Sequence, residues 1–253
     1  MNVVCVGSGN VATHLAMALK VAGFRLIQVW SNTFANAVKL AADLEAEAVA
    51  ELSEITVDAD FYIISVKDDA IAAVCEAMPA VKGIVVHTSG ITSAEALSRF
   101  GNHGVFYPLQ TFSKKRILDF KHVPLCLEAG NTVIMDTLKS VALKLGSPAY
   151  EIDGGQRRIL HLSAAFACNF VNHLYALGDL ILGENGLDFD LIRPLIMETA
   201  NKVGNYRPLE AQTGPAMRGD EKTMAAHLTM LKDRPELAHI YQLLSNSIKK
   251  SQG

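Results

Sequence analysis

The sequence predicts an α/β chain: a doubly wound, mostly parallel sheet over residues 1–152, then an all-helical domain over residues 153–253. Three observations predict it. The chain opens on an apolar strand, a glycine turn and a helix. Apolar runs then alternate with helical segments to about residue 152. From Gly155 onward the periodicity is helical throughout.

Val3-Val4-Cys5-Val6 is the short β-branched run of a strand buried on both faces. Gly7-Ser8-Gly9-Asn10-Val11-Ala12 follows, and Val11, Leu15, Ala18, Leu19 and Ala22 recur at helical spacing. Strand, turn and helix together make this G-x-G-x-x-A the Rossmann dinucleotide fingerprint. Gly7 permits the tight turn, Gly9 lets a pyrophosphate approach the backbone, and Ala12 lets the helix pack close to the strand. The first N–H groups of the helix then face the phosphates. Gly7, Ser8, Gly9, Asn10 and Val11 are the expected phosphate contacts.

Gly23 closes the first helix, and Phe24 to Trp30 is the second strand. An NAD site carries an acid at this strand's end, on the ribose 2′-hydroxyl. Here the end reads Ser31-Asn32-Thr33. These small polar side chains leave room for a 2′-phosphate, so NADP is expected over NAD, with Lys39 on the next helix as the candidate cation. Helix 35–44, a short strand at 48–50 and the buried strand 60–66 come next. Residues just past the carboxyl ends of parallel strands line the ligand crevice. That places Val66 and Lys67 on the cofactor side, and likewise Thr88 and Ser89 after the strand Gly83 to His87. Strands at 105–106, 123–128 and 149–152 and the helix Thr132 to Leu145 complete the sheet region.

Arg158 to Leu182 reads as one long helix. At 100° per residue, Arg158, His161, Ala165, Asn169 and Asn172 share an arc of about 80°. The rest of the circumference is apolar, as in a largely buried helix. The polar stripe has no long charged side chain beyond its first residue, which favours a cleft over a solvent face. Asp188 or Asp190 is expected to cap the next helix, and Asp220 the one that carries His227. Gln212 to Asp220 reads as a rigid polar turn, and Asp233-Arg234-Pro235-Glu236 as a capping box.

Composition restricts partners. The net charge is −3, which implies no basic face for nucleic acid. The four cysteines, Cys5, Cys75, Cys126 and Cys168, are widely spaced in apolar segments and read as reduced core residues of a cytoplasmic protein. No apolar run is read as long enough to span a bilayer.

The chain resembles a family of bacterial NADP oxidoreductases that join a Rossmann-like domain to a helical domain of unknown function. The carrying stretches are Val6 to Ala12, IISVKDDAI at 63–71, HTSG at 87–90, YPLQTF at 107–112, HLSAAFACNF at 161–170, and QTGPAMRGD at 212–220 with His227. The layout is more distantly similar to pyrroline-5-carboxylate reductase, deazaflavin-dependent NADP reductase and the 6-phosphogluconate and β-hydroxyacid dehydrogenases. That resemblance implies a helical domain that often builds a dimer, with the active site between domains. Two positions depart from it. Ala165 stands where the β-hydroxyacid dehydrogenases have a lysine four residues before the asparagine, here Asn169. Tyr107 stands where the nearer family has histidine.

The expected function is NADP-dependent hydride transfer to or from a small carbonyl or imine. His161 is the expected acid/base, since its ordinary pKa lies near working pH. Asn169 would orient substrate or water, and Arg218 would bind an anionic group bidentately. The alternative is a non-catalytic dinucleotide sensor or scaffold. The partners expected are a small-molecule substrate and a second copy of the chain.

Overall fold

The computed structural model describes residues 1–113, 116 and 118–251. By contacts the chain divides into two compact units, Met1–Cys168 and Asn169–Gly253. The first contains β1 (Asn2–Val6), α1 (Asn10–Val21), β2 (Arg25–Trp30), α2 (Phe34–Leu44), β3 (Glu47–Val49) and β4 (Phe61–Ile64). It continues through α3 (Ile71–Ala77), β5 (Ile84–His87), β6 (His103–Pro108), β7 (Leu125–Ala129), α4 (Thr132–Leu145), β8 (Ala149–Glu151) and α5 (Gly154–Ala164).

The eight strands lie in the order β3-β2-β1-β4-β5-β6-β7-β8, parallel except where β6 meets β7. Alternation along β1 explains its buried apolar run. Val3 and Cys5 pack into the layer holding α1, α2 and α4, while Val4 and Val6 pack with Trp30 and α3 on the other face. Strand order reverses between β1 and β4, so the crevice at their carboxyl ends is the switch point of a doubly wound sheet.

After α5 a π-helical turn, Ala165–Phe170, leads into α6 (Val171–Glu184), so one helix runs from Gly154 to Glu184. The second unit adds α7 (Arg193–Asn205), α8 (Pro215–Arg218), α9 (Glu221–Met230) and α10 (Pro235–Lys250). Among its described residues only Ala216 and Met224 are buried.

Several expectations change. The long helix begins at Gly154, because the Asp153 carboxylate caps the Gln156 amide and the Gln156 side chain returns the bond. Its π turn closes i→i+5 bonds and advances less per residue than an α-helix. The 100° arithmetic that put Asn169 and Asn172 in line with His161 therefore does not hold past Ala164. By length and composition this helix does match a membrane span, against expectation. Cys168 is exposed rather than a core residue. Asp188 caps a short 3₁₀ turn at 189–191, not α7. Arg234 stands at the N-cap of α10 with no side-chain cap bond, so no capping box forms there. Asp220 does cap α9, accepting from Thr223 N at 3.0 Å and Thr223 Oγ1 at 2.7 Å.

Candidate active site

One cavity of about 850 Å³ opens at the switch point. Of the residues expected on the cofactor, Gly7, Ser8, Gly9, Asn10, Val11, Ser31, Asn32, Val66, Lys67, Thr88 and Ser89 all line it. Thr33 does not; it holds the N-cap position of α2. His161 reaches the same cavity from α5, beside Gly90, Tyr107, Pro108 and Gln110. Asn169, in the π turn, and Arg218, at the end of α8, are exposed residues of the second unit.

The glycine turn fits a dinucleotide. Gly7 has φ +132°, and a Cβ there would press on the Ser65 backbone. A Cβ on Gly9 would meet nothing within 4 Å, which leaves open cavity where a pyrophosphate would lie. Among the described residues no side chain caps α1 and its first turn holds no acid, which suits the helix N-terminus to a phosphate. Ser8 Oγ and Ser31 Oγ are 2.7 Å apart and tie the glycine turn to the end of β2. Two expected contacts have structural duties as well. The Asn10 amide donates to Phe112 O at 3.0 Å, and the Ser89 hydroxyl accepts from the Ile91 and Thr92 amides at 3.1 and 2.9 Å.

Sequence reasoning missed the residues that shape the cavity wall around His161. α5 presents Arg157 and His161 one turn apart, hence on one face. Arg157 is 0% exposed. Its guanidinium donates to Thr92 O from both Nη1 and Nη2 at 2.9 Å, and to Glu128 Oε2 at 2.9 Å. It thereby clamps the 89–92 loop to β7. His161 follows against Gly90, where a Cβ would sit 2.5 Å from its Nδ1. That Nδ1 lies 2.9 Å from the Tyr107 hydroxyl. The missed signals were present: the Asp153/Gln156 capping box sets the helix phase that turns Arg157 inward, and HTSG and YPLQTF supply the two walls.

His87, also 0% exposed, staples the same loop. Its Nδ1 accepts from Ser89 N at 3.2 Å, so its proton sits on Nε2, which donates to Ser93 O at 3.2 Å. Burial pushes its pKa from 6.5 down to about 4. The unfolded chain therefore binds a proton here between pH 6.5 and about 4 that the folded chain does not. The contribution to stability is full above pH 6.5 and is lost as the pH falls toward 4, by roughly 3 kcal/mol in total. Denaturant titrations across this window are expected to show the slope, and His87→Gln is expected to flatten it.

The fold and cavity together define a class: a Rossmann-type dinucleotide oxidoreductase followed by a helical segment. Residues 2–89 match the family described as NADP oxidoreductase, coenzyme F420-dependent, and residues 123–248 match a domain of unknown function, DUF2520. A Bacteroides fragilis protein assigned as an NADP oxidoreductase is 43% identical, with 98% of each chain covered and a TM-score of 0.92. The chain belongs to this family of NADP oxidoreductases, and its cofactor is NADP. An imine reductase from Myxococcus stipitatus in complex with NADP⁺ shares the fold at 15% identity, covering 99% of this chain and 93% of that one, with a TM-score of 0.67. So does 1-pyrroline-5-carboxylate reductase from Streptococcus pyogenes, at 13% identity, 99% and 98% coverage, and a TM-score of 0.62. No curated protein matches the chain.

Proposed function

We propose that the protein reduces a small carbonyl or imine with NADPH, or runs the reverse oxidation, with His161 as the acid/base. The observation that carries this is the presence of His161 in the cavity formed by the glycine turn and the strand ends. NADPH, when bound, supplies the hydride. Gly7 to Val11 hold the pyrophosphate, and Ser31 and Asn32 border the ribose end. Thr33 is proposed at that end from its sequence position alone. Val66, Lys67, Thr88 and Ser89 flank the nicotinamide end. His161 gives a proton to the nitrogen or oxygen of the substrate as its carbon is reduced, and takes one in the reverse direction. From residue chemistry, Asn169 orients substrate or water and Arg218 holds an anionic substituent.

The protein is further proposed to be a cytoplasmic homodimer. A unit with two buried residues among those described hides little of its apolar surface, and it exposes Leu174, Leu191, Leu195, Met197, Leu209 and Leu243. A second copy is the partner that would cover such a surface. The same surface on the helix Gly154–Glu184 is read as protein-facing rather than membrane-facing.

The test is NADPH oxidation with 1-pyrroline and with small 2-oxo acids. Wild-type turnover is expected, and His161→Gln is expected to lower kcat about 100-fold with NADPH affinity, followed by fluorescence, unchanged. Tight NADPH binding with no turnover of either class would favour the sensor or scaffold, for which Ala165 in the lysine position speaks.

A further inference from the structure

An acid/base histidine works through one ring nitrogen, so something must hold the other. In His161 the held atom is Nδ1. The Tyr107 hydroxyl lies 2.9 Å from it, and the two rings meet edge to face at 67° with centroids 6.0 Å apart. Gly90 packs against the same part of the ring, since a Cβ there would sit 2.5 Å from Nδ1 and 2.7 Å from Cγ. Tyr107 itself is anchored: it pairs with Cys126 across β6 and β7 and packs with Val105, Leu160 and Ile152. With Nδ1 engaged, Nε2 is the nitrogen left for a reacting atom.

Proton transfer at Nε2 sets a requirement on the group at Nδ1. Before transfer the ring is an imidazolium, with a proton on each nitrogen. After transfer the Nε2–H bond has broken, its electron pair stays on Nε2, and the proton is on the substrate. Nδ1 keeps its proton in both states, so its partner must accept a hydrogen bond in both. We infer that Tyr107 is the positioning residue of this histidine, its phenol oxygen accepting from Nδ1–H and directing proton traffic through Nε2. This rests on the assignment of His161 as the acid/base.

The phenol suits the task because it keeps its own proton. Burial pushes its pKa up to about 12, with Cys126 and Asp68 raising it and Arg157 lowering it. It adds no charge beside the imidazolium and is not consumed in the transfer. Other charged or titratable groups nearby are Lys67 in the cavity wall, Glu128 paired with Arg157, and neutral His87 behind the loop.

The experiment follows the imidazole resonances of ¹⁵N-labelled protein saturated with NADP⁺ through a pH titration. His161→Gln assigns the His161 signals by their loss. With the phenol oxygen accepting from Nδ1–H, the neutral ring carries its proton on Nδ1, so at the alkaline end of the titration Tyr107→Phe is expected to shift the Nδ1 signal toward that of an unprotonated nitrogen. Gly90→Ala, which drives the ring off the phenol with Tyr107 intact, is expected to shift the Nδ1 signal in the same direction and reads the same contact if Tyr107→Phe does not fold. An unchanged Nδ1 signal in the variant that folds would overturn the inference. Failure of the acid/base assignment shows separately, as undiminished kcat in His161→Gln.

Discussion

Arg157→Leu is expected to lose about 3 to 5 kcal/mol of folding stability, seen as a lower denaturant midpoint with unchanged slope. The guanidinium is buried and supplies donors to Thr92 O and Glu128 Oε2, with a longer approach of 3.5 Å to Ser89 O. Leucine fills part of the volume but donates nothing. It leaves two loop carbonyls and a half-buried carboxylate without their partner, and an unpaired buried group costs far more than a paired one yields. Glu128→Gln keeps an acceptor for Nη2 but leaves the buried guanidinium without its counter-charge, so it too is expected to destabilise. If Arg157→Leu unfolds within about 0.5 kcal/mol of wild type, the clamp is not a source of stability.

Gly7→Ala and Gly9→Asp are expected to fail for opposite reasons. Gly7 has φ +132°, and its Cβ would lie 2.7 Å from the Ser65 carbonyl carbon. That atom is backbone of the segment hydrogen-bonded to β1, with Ser65 N donating to Val6 O at 2.8 Å, so it cannot move aside alone. Gly7→Ala is expected to cost on the order of 3 kcal/mol in strain and overpacking. Gly9 has open space where its Cβ would be, so Gly9→Asp should fold with near wild-type stability. It would instead place a carboxylate against the pyrophosphate and is expected to weaken NADPH binding at least 100-fold, measured by fluorescence titration. Wild-type affinity in Gly9→Asp would remove the glycine turn from the cofactor site.

The glycine-turn side of the candidate cavity was legible because it is local. Gly7 to Val11 occupy one turn between a strand and a helix, and Val66, Lys67, Thr88 and Ser89 were placed by a general rule about strand ends. His161 was reached from a stripe of residues whose first turn was sound. The same stripe failed at the π turn, because a sequence of ordinary helix formers, Ala165 to Phe170, carries no mark of an i→i+5 closure. Tyr107, Gly90 and Arg157 escaped for another reason. Their importance is pairwise, and their partners lie 54, 71 and 65 residues away at His161, His161 and Thr92.

The sequence by itself determined the alternation of strands and helices, the dinucleotide turn and the change to helices beyond residue 152. All of these are written in periodicity and in residue types with fixed conformational meaning. Only the tertiary structure decided why Gly7 must be glycine, which nitrogen of His161 meets the Tyr107 hydroxyl, and that Arg157 is buried. Each depends on an atom from a distant segment: the Ser65 carbonyl, the Tyr107 hydroxyl, the Glu128 carboxylate. Such contacts arise when the sheet pairs β1 with β4 and β6 with β7. Their geometry is set by strand register and helix phase, which the pattern of apolar residues constrains only to the correct face.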